Sequence, residues 1–389
     1  MADRPDIDPV VYRLAGTHGI ADAYSNLFSP LLPAIIPRLN LSLAAAGFLI
    51  MLYQLAGSVS QLAFGPVADR WKPRVFLVAG PILSVSVLSL VGLAWSPATL
   101  AAVLVVGGLG GAAFHPTAAA VVHRMGGSRR GLAMAIHITG GSIGYAIGPL
   151  LFAPYVGRFG LTWTPLLAVP GLLLLAWVVR GMPALRPLAS GTSGGFRGLR
   201  PHAKPLFLLW IIVVLRTTTA LSIATFVPVM LTGRGWSVGL AGIALSVYLT
   251  AGSLGGFAGG PLADRFGPKR VIAASLLMAT PLLAAATLLH DWPLVVVLAL
   301  GGFFLQSTLP VNVSFAQQIA PAGAATVSSL MLGVAWGIGG LMAPLVGSAA
   351  DRFGIGPTLT AVAFLPLVAS AFAAPLPLRA EPPSAGETT

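Results

Sequence analysis

Apolar runs of about 20 residues recur along almost the whole length of this 389-residue chain. As a helix, each run is long enough to span the roughly 30 Å of hydrocarbon in a lipid bilayer. Only 8% of the residues are charged, against roughly 25% in soluble domains. The sequence therefore predicts an all-α integral membrane protein with many spans.

Hydropathy and turn residues together predict twelve transmembrane helices. We number these spans 1 to 12 in chain order: 12–37, 44–67, 75–94, 98–122, 131–155, 161–180, 205–231, 239–262, 270–289, 294–318, 324–347 and 356–376.

The basic residues are distributed unequally between the two sides of this predicted topology. Of the 22 Lys and Arg residues, only Arg38, Arg158, Arg234 and Arg352 fall in the loops on one side, and Arg216 falls inside a span. Loops rich in Lys and Arg stay in the cytoplasm, so both termini are predicted to be cytoplasmic. This bias also accounts for the net charge of +12, and we expect no nucleic-acid partner.

The longest stretch without apolar character, 181–204, divides the spans six and six. It is rich in Gly, Ser, Pro and Arg, which is typical of a flexible linker. We therefore predict an N-terminal six-helix bundle over 1–180, a cytoplasmic linker over 181–204, and a C-terminal six-helix bundle with a short tail over 205–389.

The two halves are repeats of one another. The segment "GPVADRWKPRV" at 65–75 returns as "GPLADRFGPKRV" at 260–271, and Pro66 and Pro261 are 195 positions apart. Pro149 and Pro344 are separated by the same interval. Two pseudo-symmetric six-helix bundles are the repeat plan of major facilitator transporters, which this chain resembles.

The charged turn between spans 2 and 3 strengthens that resemblance. It is similar to the cytoplasmic loop signature of the superfamily, and the repeat carries a second copy between spans 8 and 9. The resemblance implies a role in conformational gating for Gly65, Asp69, Arg70, Arg74, Asp264, Arg265 and Arg270. Lys72 stands where the signature usually has a glycine, and the second copy has Gly267 there.

Within the superfamily, the chain resembles the fosmidomycin-resistance group of efflux antiporters. The matching stretches are "HGIADAYSNLFSPLLP" in span 1, "YQLAGSVSQLAFGPVADR" in span 2, "GLGGAAFHPTAAA" in span 4, "GGSIGYAIGPLL" in span 5 and "LRTTTALSIATFVP" in span 7. The resemblance implies proton-coupled export of a small molecule across a bacterial cytoplasmic membrane. We expect the protein to act as a monomer in the lipid bilayer.

Asp22 is the one acidic residue that the predicted topology places deep inside a span. Burying a charge there costs roughly 2.5–3.5 kcal/mol on insertion scales, and such residues usually mark ion or substrate pathways. His18 lies one helical turn before it, and Asn26 follows on the same face. We therefore predict that Asp22 carries the coupling proton, with His18 and His115 as relay groups.

Arg216 leaves a structural alternative open for Asp22. It lies one position from the symmetric equivalent of Asp22 in span 7, so the two charges could form a fixed ion pair that locks helices together. As a functional residue, Arg216 is a candidate for binding substrate. Further candidates for substrate binding are polar residues of the spans: Asn26, Gln54, Tyr145, Gln306 and Asn312.

Gly144, Gly148 and Pro149 in span 5 resemble the glycine–proline motif of exporters. Small residues let helices pack closely, which applies to importers as well. The sequence contains no phosphate-binding loop, no His cluster with metal-ligand spacing, no catalytic triad and no cysteine. We expect no enzyme activity, no cofactor and no metal.

Three functions remain compatible with the sequence. The first is proton-coupled antiport that exports an amphipathic small molecule. The second is uptake of an organic anion, with Arg216 binding its carboxylate or phosphonate. The third is a non-transporting membrane sensor or scaffold. The intact second half, with its own charged turn and Arg216, argues against the third.

Overall fold

The structure is a computed structural model. It describes residues 7–61, 63–64, 67, 72–180, 182, 196–321 and 324–378. All regular structure in these ranges is helical, and they contain no strand. The prediction of an all-α membrane protein is thereby confirmed.

The helices of the first half follow the predicted spans. Span 1 is Pro9–Ser25 followed by Phe28–Leu39, span 2 begins as Leu43–Ser58, span 3 is Pro73–Leu88 extended by a 3-10 turn at Ser89–Leu93, span 4 is Pro97–Met125, span 5 is Arg130–Phe159, and span 6 is a 3-10 segment at Leu161–Leu167 followed by Ala168–Val179.

The helices of the second half do the same, with more interruptions near the end. Span 7 is Ala203–Gly233, span 8 is Val238–Phe266, span 9 is Pro268–Leu288, span 10 is Asp291–Ile319, span 11 is Ala324–Ser328, a π-helical segment at Ser329–Val334, Ala335–Leu341 and Ala343–Phe353, and span 12 is Ile355–Val362 with Leu365–Ala371.

Spans 3 to 10 are each long and apolar enough to cross a bilayer, which makes eight such helices among the described residues. The helical stretches Leu43–Ser58 and Ile355–Ala371 are apolar but shorter. Spans 1 and 11 divide into separate helical pieces, none of them longer than the 17 residues of Pro9–Ser25.

The sequence predicted spans 1, 11 and 12 as continuous helices, and the structure corrects this. In span 1 the break at Asn26 and Leu27 falls four residues before Pro30, and in span 12 Val362 ends a helix four residues before Pro366. A proline has no N–H to donate to the carbonyl four residues earlier. Pro116 and Pro149 nevertheless lie inside unbroken helices, so the missing donor alone does not determine these breaks.

Three repeated turns depend on a glycine with a left-handed backbone. The tripeptide Arg-Phe-Gly places Gly160, Gly267 and Gly354 at φ of 85°, 88° and 88°. At the corresponding position of the first charged turn, Lys72 has φ of −69°. Because that backbone suits any L-residue, lysine is tolerated where the superfamily signature usually has glycine.

The described residues divide into two compact units. The first contains those of 1–190 together with 224–250 and 343–352, and the second contains those of 191–223, 251–342 and 353–389. Segments of spans 7, 8 and 11 therefore pack with the first half of the chain. The domain boundaries predicted at 180 and 205 stay a prediction.

Within the first unit, the end of span 11 packs against the start of span 2. Asp351 accepts hydrogen bonds from the backbone N–H groups of Leu43 and Ala44, at 2.8 and 2.9 Å. These N–H groups lie in the first turn of a helix, where a carboxylate is stabilised by unpaired donors and the helix dipole. Gly47 and Gly347 allow the close approach, because a Cβ on either would collide with the facing backbone.

Spans 1 and 5 form the packed interface that positions the polar residues of the first unit. Gly140, Gly144 and Gly148 recur every four residues on span 5, and they face the backbones of Ala15, Gly19 and Ala23 on span 1. A side chain at any of these glycines would collide with a carbonyl of span 1. The small residues therefore bring the two helix backbones into contact.

Candidate functional site

Asp22 lies in span 1, 13 residues after the helix begins at Pro9, which is about 20 Å along the helix axis. Its carboxylate faces two imidazoles. His18 Nε2 is 3.2 Å from Asp22 Oδ2, and His115 Nε2 is 3.6 Å from Asp22 Oδ1. We call His18, Asp22 and His115 the His–Asp cluster. It joins span 1 to span 4.

A backbone carbonyl determines which nitrogen of His18 carries a proton. His18 Nδ1 is 2.9 Å from the carbonyl oxygen of His137 in span 5. A carbonyl can only accept a hydrogen bond, so Nδ1 is the donor and carries hydrogen. In a neutral His18, Nε2 therefore presents a lone pair to Asp22.

This arrangement requires positive charge between His18 and Asp22. A lone pair on Nε2 and an ionised carboxylate oxygen repel one another at 3.2 Å. A proton on His18 Nε2 gives a charge-assisted N–H···O bond to the carboxylate, and a proton on Asp22 gives an O–H···N bond to the neutral imidazole. His115 Nε2 is 3.6 Å from Asp22 Oδ1, which is too far for a hydrogen bond but close enough for a Coulomb interaction with the carboxylate.

Two residues outside the predicted set of site residues complete the surroundings of the cluster. His137 is 3% exposed, and its ring stacks on that of His18 with 4.3 Å between centroids. Gly141, one turn later in span 5, leaves the space that the cluster occupies. A Cβ there would lie 2.5 Å from His18 Nε2 and 2.8 Å from Asp22 Oδ2. The sequence signal for this position was the run of glycines around Gly141. Gly141 follows His137 by four residues, so the two lie on the same face of the helix.

The cluster side chains are only partly shielded from solvent. The exposed fractions are 13% for His18, 18% for Asp22 and 30% for His115. A solute that reaches this part of the first unit can therefore contact all three side chains.

Arg216 lies in the second compact unit and is fully buried. Its Nη1 donates to Gln306 Oε1 in span 10, and its Nη2 donates to Thr217 Oγ1 at 3.0 Å. Two of the predicted substrate residues, Arg216 and Gln306, are thus brought together. Asp22 and Arg216 belong to different units, and their pairing stays a prediction.

The other predicted substrate residues occupy different surroundings. Asn26 is 2% exposed, and its Nδ2 donates to the carbonyl of Tyr145 at 2.9 Å, which ties the break in span 1 to span 5. Tyr145 and Gln54 are half-buried. Asn312 is fully buried, and neither of its side-chain polar atoms has a hydrogen-bond partner among the described residues.

The predicted gating residues are only partly covered by the structure. Gly65, Asp69 and Arg70 lie outside the described residues. Arg74 is exposed near the start of span 3.

The second copy of the turn is described in full. Asp264, Arg265 and Arg270 are exposed where span 8 ends and span 9 begins. The Arg265 guanidinium lies 5.1 Å from the centroid of the Phe266 ring.

The polytopic helical fold, with a buried arginine and a carboxylate between imidazoles inside its spans, defines a membrane transporter. The family model "Major Facilitator Superfamily" matches residues 14–237 and 208–389, and the chain belongs to this superfamily. The resemblance that the charged turns and repeats indicated is confirmed.

Two curated bacterial relatives are similar over almost the whole chain. The uncharacterized MFS-type transporter YfnC of Bacillus subtilis (strain 168) is 30% identical over 92% of this chain and 91% of its own length. The fosmidomycin resistance protein of Escherichia coli (strain K12) is 31% identical over 90% of this chain and 89% of its own.

A solved structure shows the same fold. The bacterial homolog of the human lysosomal transporter Spinster, in an inward-facing and unoccupied conformation, matches with a TM-score of 0.77 at 18% identity. The match covers 96% of this chain and 97% of the other.

Proposed function

We propose that the protein is a proton-coupled antiporter that exports an amphipathic small molecule by alternating access. The observation that carries this proposal is the His–Asp cluster, in which His18 and Asp22 face each other in a geometry that requires an additional cation. In a secondary transporter without an ATP-binding loop, a carboxylate that gains and loses a proton inside the spans couples transport to the proton gradient.

The coupling works through the charge of Asp22. With the proton bound, the cluster is less polar and tolerates a closed, desolvated cavity. After the proton leaves, the ionised carboxylate needs water or a positive group, because an unpaired charge in a dry interior is costly. His115, on a different span from Asp22, is placed to receive or relay the proton when the helices shift.

Arg216 supplies a fixed positive charge in the second half. Gln306 and Thr217 orient its guanidinium, which can bind a carboxylate or phosphonate through two parallel hydrogen bonds. We propose that Arg216 holds the anionic part of the substrate.

Export as the direction rests on similarity. The fosmidomycin resistance protein carries resistance in its name, and resistance through a transporter of this superfamily is achieved by removing the compound from the cell. The glycine–proline motif in span 5 supports the same direction. We further propose a bacterial cytoplasmic membrane, with both termini in the cytoplasm.

Uptake of an organic anion is the second candidate, and the buried Arg216 favours it. Gln306 and Thr217 accept hydrogen bonds from its guanidinium, and a buried guanidinium is suited to binding an anionic group. Import and export use the same site, so only the direction of coupled flux distinguishes them.

Reconstituted proteoliposomes with an imposed pH gradient test the proposal. The panel contains a phosphonate, an aromatic carboxylate, a lipophilic cation and a neutral amphipath of similar size. Antiport predicts that a panel member moves against the inward flow of protons, and that a protonophore abolishes this flux. Flux in the same direction as protons would establish uptake instead. Absence of flux for all compounds, in vesicles that bind them, would favour a sensor.

A further inference from the structure

The His–Asp cluster has the composition of a transition-metal site as well as the geometry of a proton site. We propose that His18 Nε2, one carboxylate oxygen of Asp22 and His115 Nε2 bind a single Zn²⁺ ion, with the fourth coordination position open to water or to a group on the substrate. This inference rests on the geometry of the cluster and is independent of the direction of transport.

The distances between the ligand atoms suit one tetrahedral ion. One ligand atom from each of the three residues lies within 4.8 Å of the others. Zn–N and Zn–O bonds of about 2.0–2.1 Å in a tetrahedron place neighbouring ligand atoms about 3.3 Å apart. His18 Nε2 is 3.2 Å from Asp22 Oδ2 and His115 Nε2 is 3.6 Å from Asp22 Oδ1, so each imidazole is near this distance from a different oxygen of the carboxylate. Binding through one oxygen therefore requires a small rotation of the carboxylate.

His18 is already oriented as a metal ligand. Histidines that bind metals usually donate their other ring N–H to a carbonyl or carboxylate, which fixes the tautomer and directs the free lone pair at the ion. The carbonyl of His137 performs this function for His18 Nδ1 at 2.9 Å. The lone pair of Nε2 then points at Asp22 rather than at a hydrogen-bond donor.

Gly141 keeps the space beside the ligands open. A Cβ at this position would be 2.5 Å from His18 Nε2 and 2.8 Å from Asp22 Oδ2. Any residue with a side chain at position 141 would displace these two ligand atoms of the cluster. The partial exposure of the three side chains leaves room for a fourth ligand from solution.

The donor set selects the class of ion. Two imidazoles and one carboxylate suit Zn²⁺ and its neighbours Co²⁺ and Ni²⁺, whereas Mg²⁺ and Ca²⁺ prefer oxygen ligands alone. The ion would use the same lone pairs as the coupling proton. A bound Zn²⁺ ion and a protonated cluster therefore exclude each other, so Zn²⁺ is expected to inhibit proton-coupled transport.

Isothermal titration calorimetry of Zn²⁺ binding to the full chain tests the inference. The protein is purified in detergent with an affinity tag that contains no histidine. The background is low, since the chain has six histidines and no cysteine. The wild type is expected to bind one Zn²⁺ per chain. His18→Gln, Asp22→Asn and His115→Gln should each weaken binding by at least about tenfold, whereas His123→Gln, at an exposed position in the same span as His115, should not.

Two glycine variants distinguish damage to the proposed Zn²⁺ site from a general effect of replacing a glycine in span 5. Gly141→Ala changes none of the three ligand residues, but it is expected to weaken Zn²⁺ binding because the new methyl group displaces the side chains of His18 and Asp22. Gly131→Ala, in the same span with open space around it, should bind as the wild type does. The absorption of bound Co²⁺ reports tetrahedral coordination, and this signal should disappear in the ligand variants.

Two results would overturn the inference. One is a wild-type protein that binds no stoichiometric Zn²⁺. The other is equal binding by the wild type and the folded ligand variants, which would show surface binding only. Neither affects the proposal of proton coupling, which depends on flux in a pH gradient without added metal.

Discussion

At the residue scale, the molecule contains two charged sites inside its spans, and they are held in different ways. Asp22 lies beside two imidazoles, which are side chains that can gain or lose a proton. Arg216 stays charged at any physiological pH, and its guanidinium donates hydrogen bonds to the neutral side chains of Gln306 and Thr217. One site is therefore suited to exchanging a proton, and the other to presenting a constant positive charge.

Gln306→Leu is expected to destabilise the protein by about 1.5–3 kcal/mol, because it removes a hydrogen bond to a buried charged group. Thermal unfolding in detergent, followed by tryptophan fluorescence, measures the change. Gln318→Leu is the matched control, since Gln318 is exposed near the end of the same span. Equal melting temperatures for the two variants would show that Gln306 does not support Arg216.

At the element scale, the interface between spans 1 and 5 determines where the cluster lies. Gly19 and Gly144 bring the two backbones together, and the contacts from His137 and Gly141 to His18 follow from that closeness. The first helix of span 1 ends at Ser25, just beyond Asp22. Tyr53 of span 2 donates to the free carbonyl of Ser25 at 2.9 Å.

Gly144→Ala is expected to lower stability by about 1–3 kcal/mol, because the added methyl group overlaps the backbone of Gly19 and must push the helices apart. The melting temperature in detergent reports this loss. Gly131→Ala in the same span should leave the stability unchanged or raise it slightly. A Cβ added at this position has no atom within 4 Å, and alanine has a higher helix propensity than glycine. A Gly144→Ala protein as stable as the control would contradict the close packing of spans 1 and 5.

The sequence predicted the helices well because each span is a long apolar run and every turn carries Gly, Pro or charge. It did not predict the break after Ser25, since Pro30 resembles prolines such as Pro116 that lie in continuous helices. It identified His18, Asp22 and His115 as candidates by depth and spacing. It could not show that His115 meets Asp22, because that contact depends on how span 4 packs on span 1.

At the scale of the whole molecule, the sequence repeats relate the two halves of the chain. The interval of 195 between Pro66 and Pro261 and between Pro149 and Pro344 predicts matching helices in the two halves. The pair of charged turns is the part of this symmetry that we assign to gating.

Asp69→Asn is expected to reduce the rate of transport severalfold while leaving expression and melting temperature close to wild type, because the superfamily signature implies that Asp69 acts in conformational gating rather than in folding. The initial rate of flux in proteoliposomes measures this effect. Asp291→Asn, an exposed substitution in the first turn of span 10, is the control. Unchanged rates for Asp69→Asn would refute the gating role.

Both termini are expected on the cytoplasmic side of the membrane. Reporter fusions that are active only in the cytoplasm should be active at residue 389 and inactive at a loop such as that around Arg234. The reverse result, or activity at both positions, would contradict the orientation derived from the basic residues.

The central claim, that Asp22 carries the coupling proton, is tested most directly by comparing two kinds of flux in Asp22→Asn. Asparagine imitates the protonated carboxylate and cannot release a proton. The variant is therefore expected to exchange labelled for unlabelled substrate across the membrane at near wild-type rates, but to accumulate none in response to a pH gradient. Asp22→Asn proteoliposomes that still concentrate substrate against its gradient when only the pH differs across the membrane would contradict the account.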